Sequence, residues 1–293
     1  MDLRSDWPCL RSIWILVGAA GALLATSACV PGTADGGLPG ERTFTVTLTN
    51  VSGTDALVLP DGSTQAVPLS PGVWVVHTAS DPMFAEGAPD FGEGLEALAE
   101  DGDPVPTVVT SYPAALRKVD GVAAAEVFDT PVGASGPAPV GPGESYQFQV
   151  VAVPGEQLSF ATMFVPSNDL FFSPDGDGIA LFNSGGAPVT GDVTDQVHLW
   201  DAGTEANEAP GAGPNQPAQQ PEPNTGDDES FVVHRPPDDG FDYPPVAEVI
   251  QVTITVEPTA LEAGLQQGVV DLATMIAGSL ISDLVLGSFN QTP

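Results

Sequence analysis

Three stretches of the chain alternate apolar and polar residues with a period of two. In Thr43-Phe44-Thr45-Val46-Thr47-Leu48-Thr49-Asn50 the threonines separate Phe44, Val46 and Leu48. Tyr146–Val153 and Val249–Val256 repeat the pattern, the latter with Ile250, Val252, Ile254 and Val256 on one side. Alternate side chains of a strand point to opposite faces, so each stretch reads as a strand with one buried face. Such strands need hydrogen-bonded neighbours and a second layer to cover the apolar face. Further strand-like runs occupy Val51–Leu59, Val67–His77, Leu158–Val165 and Val189–Trp200, interrupted by Asn50, Asp61-Gly62 and Pro71-Gly72. Trp74 is expected in the core. Pro154-Gly155 is a turn signal and predicts a hairpin between Tyr146–Val153 and Leu158–Val165. Repeated short strands amid 33 glycines and 30 prolines predict an all-β fold, an antiparallel β-sandwich.

The remaining segments divide the chain. Arg4 and Arg11 precede the apolar run Ile13–Ala25 and the small residues Ser27-Ala28, the layout of an export signal over residues 1–28. That run falls short of the roughly 20 apolar residues of a membrane span. Leu24-Ala25-Thr26-Ser27-Ala28-Cys29 resembles a bacterial lipobox, with Thr26 where Leu is usual. Lipidation of Cys29, or simple cleavage and secretion, are the two outcomes it leaves open. Residues 29–41 read as a flexible tether and 42–257 as the β domain. Within it, Phe84, Phe91, Leu95 and Leu98 fit a short helix closed by Asp101-Gly102, an Ω-type insertion over one end of the sheets. Pro131–Gly143 is a linker and Ala206–Pro245 a long irregular loop. In residues 258–293, Leu261, Leu265, Val269, Leu272, Ile276, Leu280 and Leu284 recur every three or four positions and predict an amphipathic helix. It is expected to pack on the body or to self-associate, with surface attachment as the other reading.

Charge restricts the partners. Six Lys and Arg stand against 39 Asp and Glu, a net charge of −33 that is unchanged once Asp2, Arg4, Asp6 and Arg11 are removed with the first 28 residues. Such a surface repels a phosphate backbone and anionic lipid, so nucleic-acid binding is excluded and membrane contact is expected only through a lipid on Cys29. It attracts divalent cations and basic partners. Cys9 and Cys29 are the two cysteines, so the body carries neither a disulfide nor thiolate chemistry.

Between Phe164 and Glu205 two apolar runs each end in carboxylates flanked by Pro, Gly or Asn. They are Phe164-Val165-Pro166-Ser167-Asn168-Asp169 and Leu199-Trp200-Asp201-Ala202-Gly203-Thr204-Glu205. Oxygen ligands on loops held by rigid strands are what Ca²⁺ requires; if Asp169, Asp201 and Glu205 converge they form a three-carboxylate site, and if not they are solvated loop acids. The two motifs, followed by Pro214-Asn215-Gln216-Pro217, resemble the spondin N-terminal domain, shared by extracellular-matrix F-spondins and many exported bacterial proteins. The family pattern reads Pro-Ser-Pro-Asp-Trp-Phe and Trp-Asp-Ala-Gly-Thr-Asp. The resemblance covers roughly Arg42–Val256. It is closest to the bacterial branch, through Pro71-Gly72-Val73-Trp74 and Gly94-Leu95-Glu96-Ala97-Leu98-Ala99-Glu100-Asp101-Gly102. It implies a C2-like β-sandwich with calcium held by three acids, which fall on Asp169, Asp201 and Glu205. Glu205 replaces the animal Asp and Leu170 the animal Trp. The disulfides of the animal domains are absent.

Other chemistry finds less support. Asp175-Gly176-Asp177-Gly178 begins like an EF-hand loop, but Gly186 stands where the bidentate Glu belongs. A second weak calcium site at Asp175 and Asp177 or an ordinary turn both remain. His77, His198 and His234 without body cysteines do not make a zinc pattern, and there is no Gly-x-Ser-x-Gly elbow. The expectation is an exported, non-catalytic calcium-binding module of the bacterial envelope or medium, engaged in adhesion to a protein or surface glycan. A secreted hydrolase and a calcium-independent structural protein of the envelope are the alternatives.

Overall fold

The computed structural model describes residues 40–105, 111–236 and 240–288. The export signal, the lipobox and nearly all of the tether lie outside them. The elements, in chain order, begin with strands β1 (Arg42–Asn50), β2 (Leu57–Val58), β3 (Thr64–Gln65) and β4 (Leu69–His77). Two helices follow, α1 (Leu95–Asp101) and α2 (Tyr112–Leu116), then strands β5 (Val122–Phe128), β6 (Ser145–Ala152), β7 (Gln157–Phe164) and β8 (Leu170–Pro174). After β9 (Ile179–Ala180), β10 (Gly191–Asp192) and β11 (Val197–Asp201) come α3 (Val246–Val249), β12 (Ile250–Val256) and α4 (Ala260–Ser288).

The strands form antiparallel sheets. One has four strands in the order β10-β12-β1-β6; a larger one runs β11-β8-β7-β4-β5, with β9 added to β7; β2 and β3 make a small ribbon. Alternation in the sequence becomes alternation in burial. Phe44, Val46, Leu48 and Asn50 of β1 are buried while the intervening threonines are half-buried, and β12 alternates in the same way. Val46 sits opposite Ile254 on one side and Phe148 on the other, which fixes the register of the three strands.

The larger sheet differs, because β4, β7 and β8 are buried almost throughout. One face sends Trp74, Val76, Leu158, Phe160, Phe164 and Phe172 into a core shared with Phe44, Val46, Leu48, Val252 and Ile254 of the smaller sheet. The other face sends Val73, Val75, Ala161, Phe171 and Trp200 into a second core with Phe84, Leu95, Leu98 and Tyr112. The insertion therefore covers the outer face of the larger sheet and not one end of it, with Phe91 left half-exposed. Its helix α1 stops where expected: Gly102, at φ 65°, donates to Leu98 O at 3.0 Å and Asp103 donates to Ala97 O at 3.1 Å.

Two expectations are corrected. The turn at Pro154-Gly155 does not close a hairpin, since β6 pairs with β1 in one sheet and β7 with β4, β8 and β9 in the other. Alternation marks a half-buried strand without saying which sheet it joins, and both strands face the same core. The C-terminal segment is helical, opened by a capping box in which Thr259 N donates to Glu262 Oε2 (2.7 Å) and Glu262 N to Thr259 Oγ1 (3.2 Å). It is not amphipathic. Val270 stands about 140° around the helix from Leu265, and Leu265, Val269, Val270, Leu272, Met275 and Ile276 are all more than half exposed. No described helix is long and apolar enough to cross a membrane.

Gly72 of β4 marks the tightest backbone approach in the larger sheet: a Cβ there would collide with the Ala161 carbonyl oxygen and the Phe128 ring. Gly72→Ala is expected to lower the unfolding free energy by about 3 kcal/mol, an overpacking cost, measured as a fall in the urea midpoint at unchanged slope.

Candidate metal centre

The site is built where β7, β8 and β11 end. Val165–Asp169 links β7 to β8 through a turn tied by Ser167, whose Oγ donates to Phe164 O (2.6 Å) and accepts from Leu170 N (3.1 Å). β8 and β11 pair antiparallel with Leu170 opposite Asp201, so Asp169 and Asp201 leave the ladder side by side. Ala202 N donates to Asp169 O at 3.1 Å. The chain then turns at Gly203 (φ 68°), where a Cβ would lie 2.8 Å from Val232 O, so the glycine is required for both its left-handed backbone and the close approach. The turn returns Thr204 and Glu205 over Asp169. Asp169 Oδ2 accepts from Thr204 N (2.9 Å) and Glu205 N (3.1 Å). The strands thus set Asp169 beside Asp201, and the turn lays the Glu205 backbone over Asp169.

All three carboxylates are buried, Asp169 completely. Asp201 Oδ1 accepts from Gly203 N (2.8 Å) and its Oδ2 from Asn207 Nδ2 (2.7 Å), with His234 Nε2 4.0 Å from Oδ2. Glu205 Oε2 accepts from Asn168 Nδ2 (3.3 Å), and Asn168 Oδ1 accepts from Glu208 N (3.0 Å). Asp169 Oδ1 is buried without a hydrogen-bond partner. The ion pairs of Arg42, Arg117 and Arg235 go to Glu262, Glu126 and Asp175, away from this cluster. Among the described residues no three carboxylate or imidazole groups stand so that they could hold a metal ion as they are. The donor set is nonetheless all oxygen, which suits a hard cation, and Asp169 Oδ1 has an unmet acceptor to offer.

Burying negative charge near negative charge favours protonation. Burial, reinforced by the Asp201 charge, pushes the Asp169 carboxyl up to about 7 despite two amide hydrogen bonds. Glu205 rises to about 7, again first through burial and then through Glu208, Asp101 and Asp228. A fourth acid joins them. Glu100, in the last turn of α1, is buried and raised to about 8, first by burial and then by the charges of Glu96, Glu205 and Asp169. Sequence reasoning missed it as a site residue. Glu100 lies off the stripe of Leu95, Leu98 and Ala99, and no local pattern announces its burial.

The other candidates resolve differently. Asp175 and Asp177 are exposed; Asp175 pairs with Arg235 at 2.7 Å, itself stacked on Trp200, and its carbonyl accepts from Gly178 N, so this segment behaves as an ordinary turn. His198, half-buried, lies 3.5 Å from Asp175. His77 is buried with Nε2 2.9 Å from Ser159 Oγ and Nδ1 2.7 Å from Ala79 O. The group orienting this pair is a backbone carbonyl and not a carboxylate, and both side chains are covered.

No protein-family model matches the chain, and no curated protein matches it, so the chemistry of the site is read from its own groups. With Asp169, Glu205 and Glu100 all raised above their unfolded values, the folded protein binds more protons than the unfolded chain between about pH 4 and pH 8. These groups' contribution to stability is therefore full at low pH and is lost as pH rises through 7 to 8. In chelator-treated buffer the melting temperature is expected to be lower at pH 8.5 than at pH 5.5. Asp169→Asn, which keeps the amide-accepting oxygen and removes the charge, is expected to raise it at pH 8.5, as followed by thermal circular dichroism.

Proposed function

We propose that the chain is an exported, non-catalytic calcium-binding module with a β-sandwich body, in which the smaller sheet and the larger one close over their shared core. Asp169, Asp201 and Glu205 are the residues that would hold the ion, with Asn168 and loop carbonyls available to complete an oxygen set. Calcium would supply positive charge to this cluster of acids. The chain's residues do the rest: Ser167 fixes the first turn, Gly203 allows the second, and Asn207 and Asn168 hold the outer carboxylate oxygens in place. The resulting role is structural, an ordered set of loops at one end of the strands that presents a contact surface. Cell-surface or matrix interaction with a protein or glycan is the use that fits a strongly acidic exported module, and export itself rests on the sequence of residues 1–28.

One observation carries this reading: a completely buried carboxylate, Asp169, with one oxygen unpartnered, set near Asp201 and with no lysine or arginine ion pair among the described residues. The amide hydrogen bonds to Asp169 and Asp201 favour a second reading, a calcium-independent structural protein in which these acids organise loops while partly protonated. Calorimetric titration separates the two. Saturable calcium binding that Asp201→Ala loses, with a rise in melting temperature of the wild type on saturation, is the expected result. A wild type that binds no calcium removes the metal reading and leaves the structural one.

A further inference from the structure

We propose that α4 is a dimerisation helix, pairing in parallel with α4 of a second copy of the chain through a seam of Leu265, Val269, Leu272 and Ile276. This pairing is independent of calcium and lies outside the strand-end site.

The helix has little support from its own chain. Arg42 holds its start, donating to Glu257 O and Glu262 Oε2, each at 3.0 Å. Further along, all four seam residues are more than half exposed, and Gly264 and Gly268 have open space above them. Glycine is a poor residue for a helix interior, and helices in proteins draw most of their stability from packing an apolar face. A partner would supply that packing. The four residues are spaced four, three and four apart, which are heptad positions d, a, d and a. They lie within about 60° of one another around the helix. The β-branched Val269 and Ile276 take the a positions and Leu265 and Leu272 the d positions, the assignment that favours two parallel strands. The flanking e and g residues, Gln266, Gly268, Ala273 and Met275, carry no charge, so in a chain of net charge −33 two copies meet here without opposing acids. The spacing continues in the sequence at Leu261, Leu280 and Leu284. Two helices in contact over that length, about 35 Å, bury on the order of 1,100 Å², above the roughly 1,000 Å² that a specific interface needs. A lipid surface fits less well. No described helix is long and apolar enough to cross a membrane, α4 has no Lys or Arg for headgroups, and the net charge repels anionic lipid.

Sedimentation equilibrium of the full chain tests this, with Leu272→Ser on the seam and Val270→Ser off it. The two residues are almost equally exposed, at 58 % and 57 %, so general apolarity is matched. The expected result is a wild-type dimer whose dissociation constant rises about tenfold or more in Leu272→Ser, because each dimer loses two buried leucines, and by no more than about twofold in Val270→Ser. A wild type that stays monomeric overturns the proposal, as does a dimer weakened equally by both variants or by neither. If circular dichroism shows that Leu272→Ser loses the helix, a double variant with Leu265→Ile and Leu272→Ile decides, since it keeps the seam apolar. Isoleucine at both a and d shifts preference to three or four strands, so a larger oligomer is expected, and a dimer of wild-type affinity overturns the register. A monomeric wild type that binds phosphatidylcholine vesicles, with binding lost in Leu272→Ser, assigns the helix to lipid and overturns the dimer.

Discussion

The larger sheet is buried on both faces, and the rest of the molecule follows from that. A sheet with one wet face needs one apolar side per strand. This sheet has Trp74, Phe160 and Phe172 pointing into one core and Val73, Ala161 and Phe171 into the other. Each face demands its own cover. The four-stranded sheet supplies one, and the insertion carrying Phe84, α1 and α2 supplies the other. The insertion is therefore half of the support of the central strands. Helix α1 packs against both β7 and β8.

That junction works against the ordinary rule that buried charge is paired. The chain has few bases: Arg42, Arg117 and Arg235 pair elsewhere, while His234 Nε2 lies 4.0 Å from Asp201 Oδ2. The oxygens of Asp169, Asp201 and Glu205 accept from backbone amides and asparagine side chains. Backbone donors can stabilise a carboxylate, yet two of them do not hold Asp169 in its usual range, because burial and the neighbouring Asp201 outweigh them. Geometry keeps the acids together regardless. The β8–β11 register fixes Asp169 beside Asp201, and the left-handed turn at Gly203 folds the Glu205 backbone over Asp169.

Much of this was legible in the sequence and some of it could not be. Period-two alternation located β1, β6 and β12, and the two motifs located three of the four buried acids at adjacent strand ends. The partner of β6 was not legible. A Pro-Gly turn between two alternating strands is compatible with a hairpin and with a step between sheets, and the choice depends on β1 and β4, which lie far away in sequence. Glu100 was hidden for a related reason, since a glutamate on the polar side of a short helix is buried only when another segment arrives above it. The C-terminal stripe misled in the opposite sense. Leucines every three or four residues imply one apolar face only if the remaining positions are polar, and Val270 and Met275 are not.

Protons are one way of meeting this deficit, and the cation we propose would compete with them for the same oxygens. A group that must release a proton to bind a metal ties affinity to pH, so a site of this kind binds more tightly in the range where, empty, it weakens the fold. The magnitudes allow this to matter. Domains of this size are stable by about 5–15 kcal/mol, and a ligand present at 100 times its dissociation constant adds about 2.7 kcal/mol. A modest affinity would therefore offset a sizeable fraction of the margin. Whatever surface the loops around Asp169, Gly203 and Glu205 present, its order is set by how the charge beneath it is neutralised.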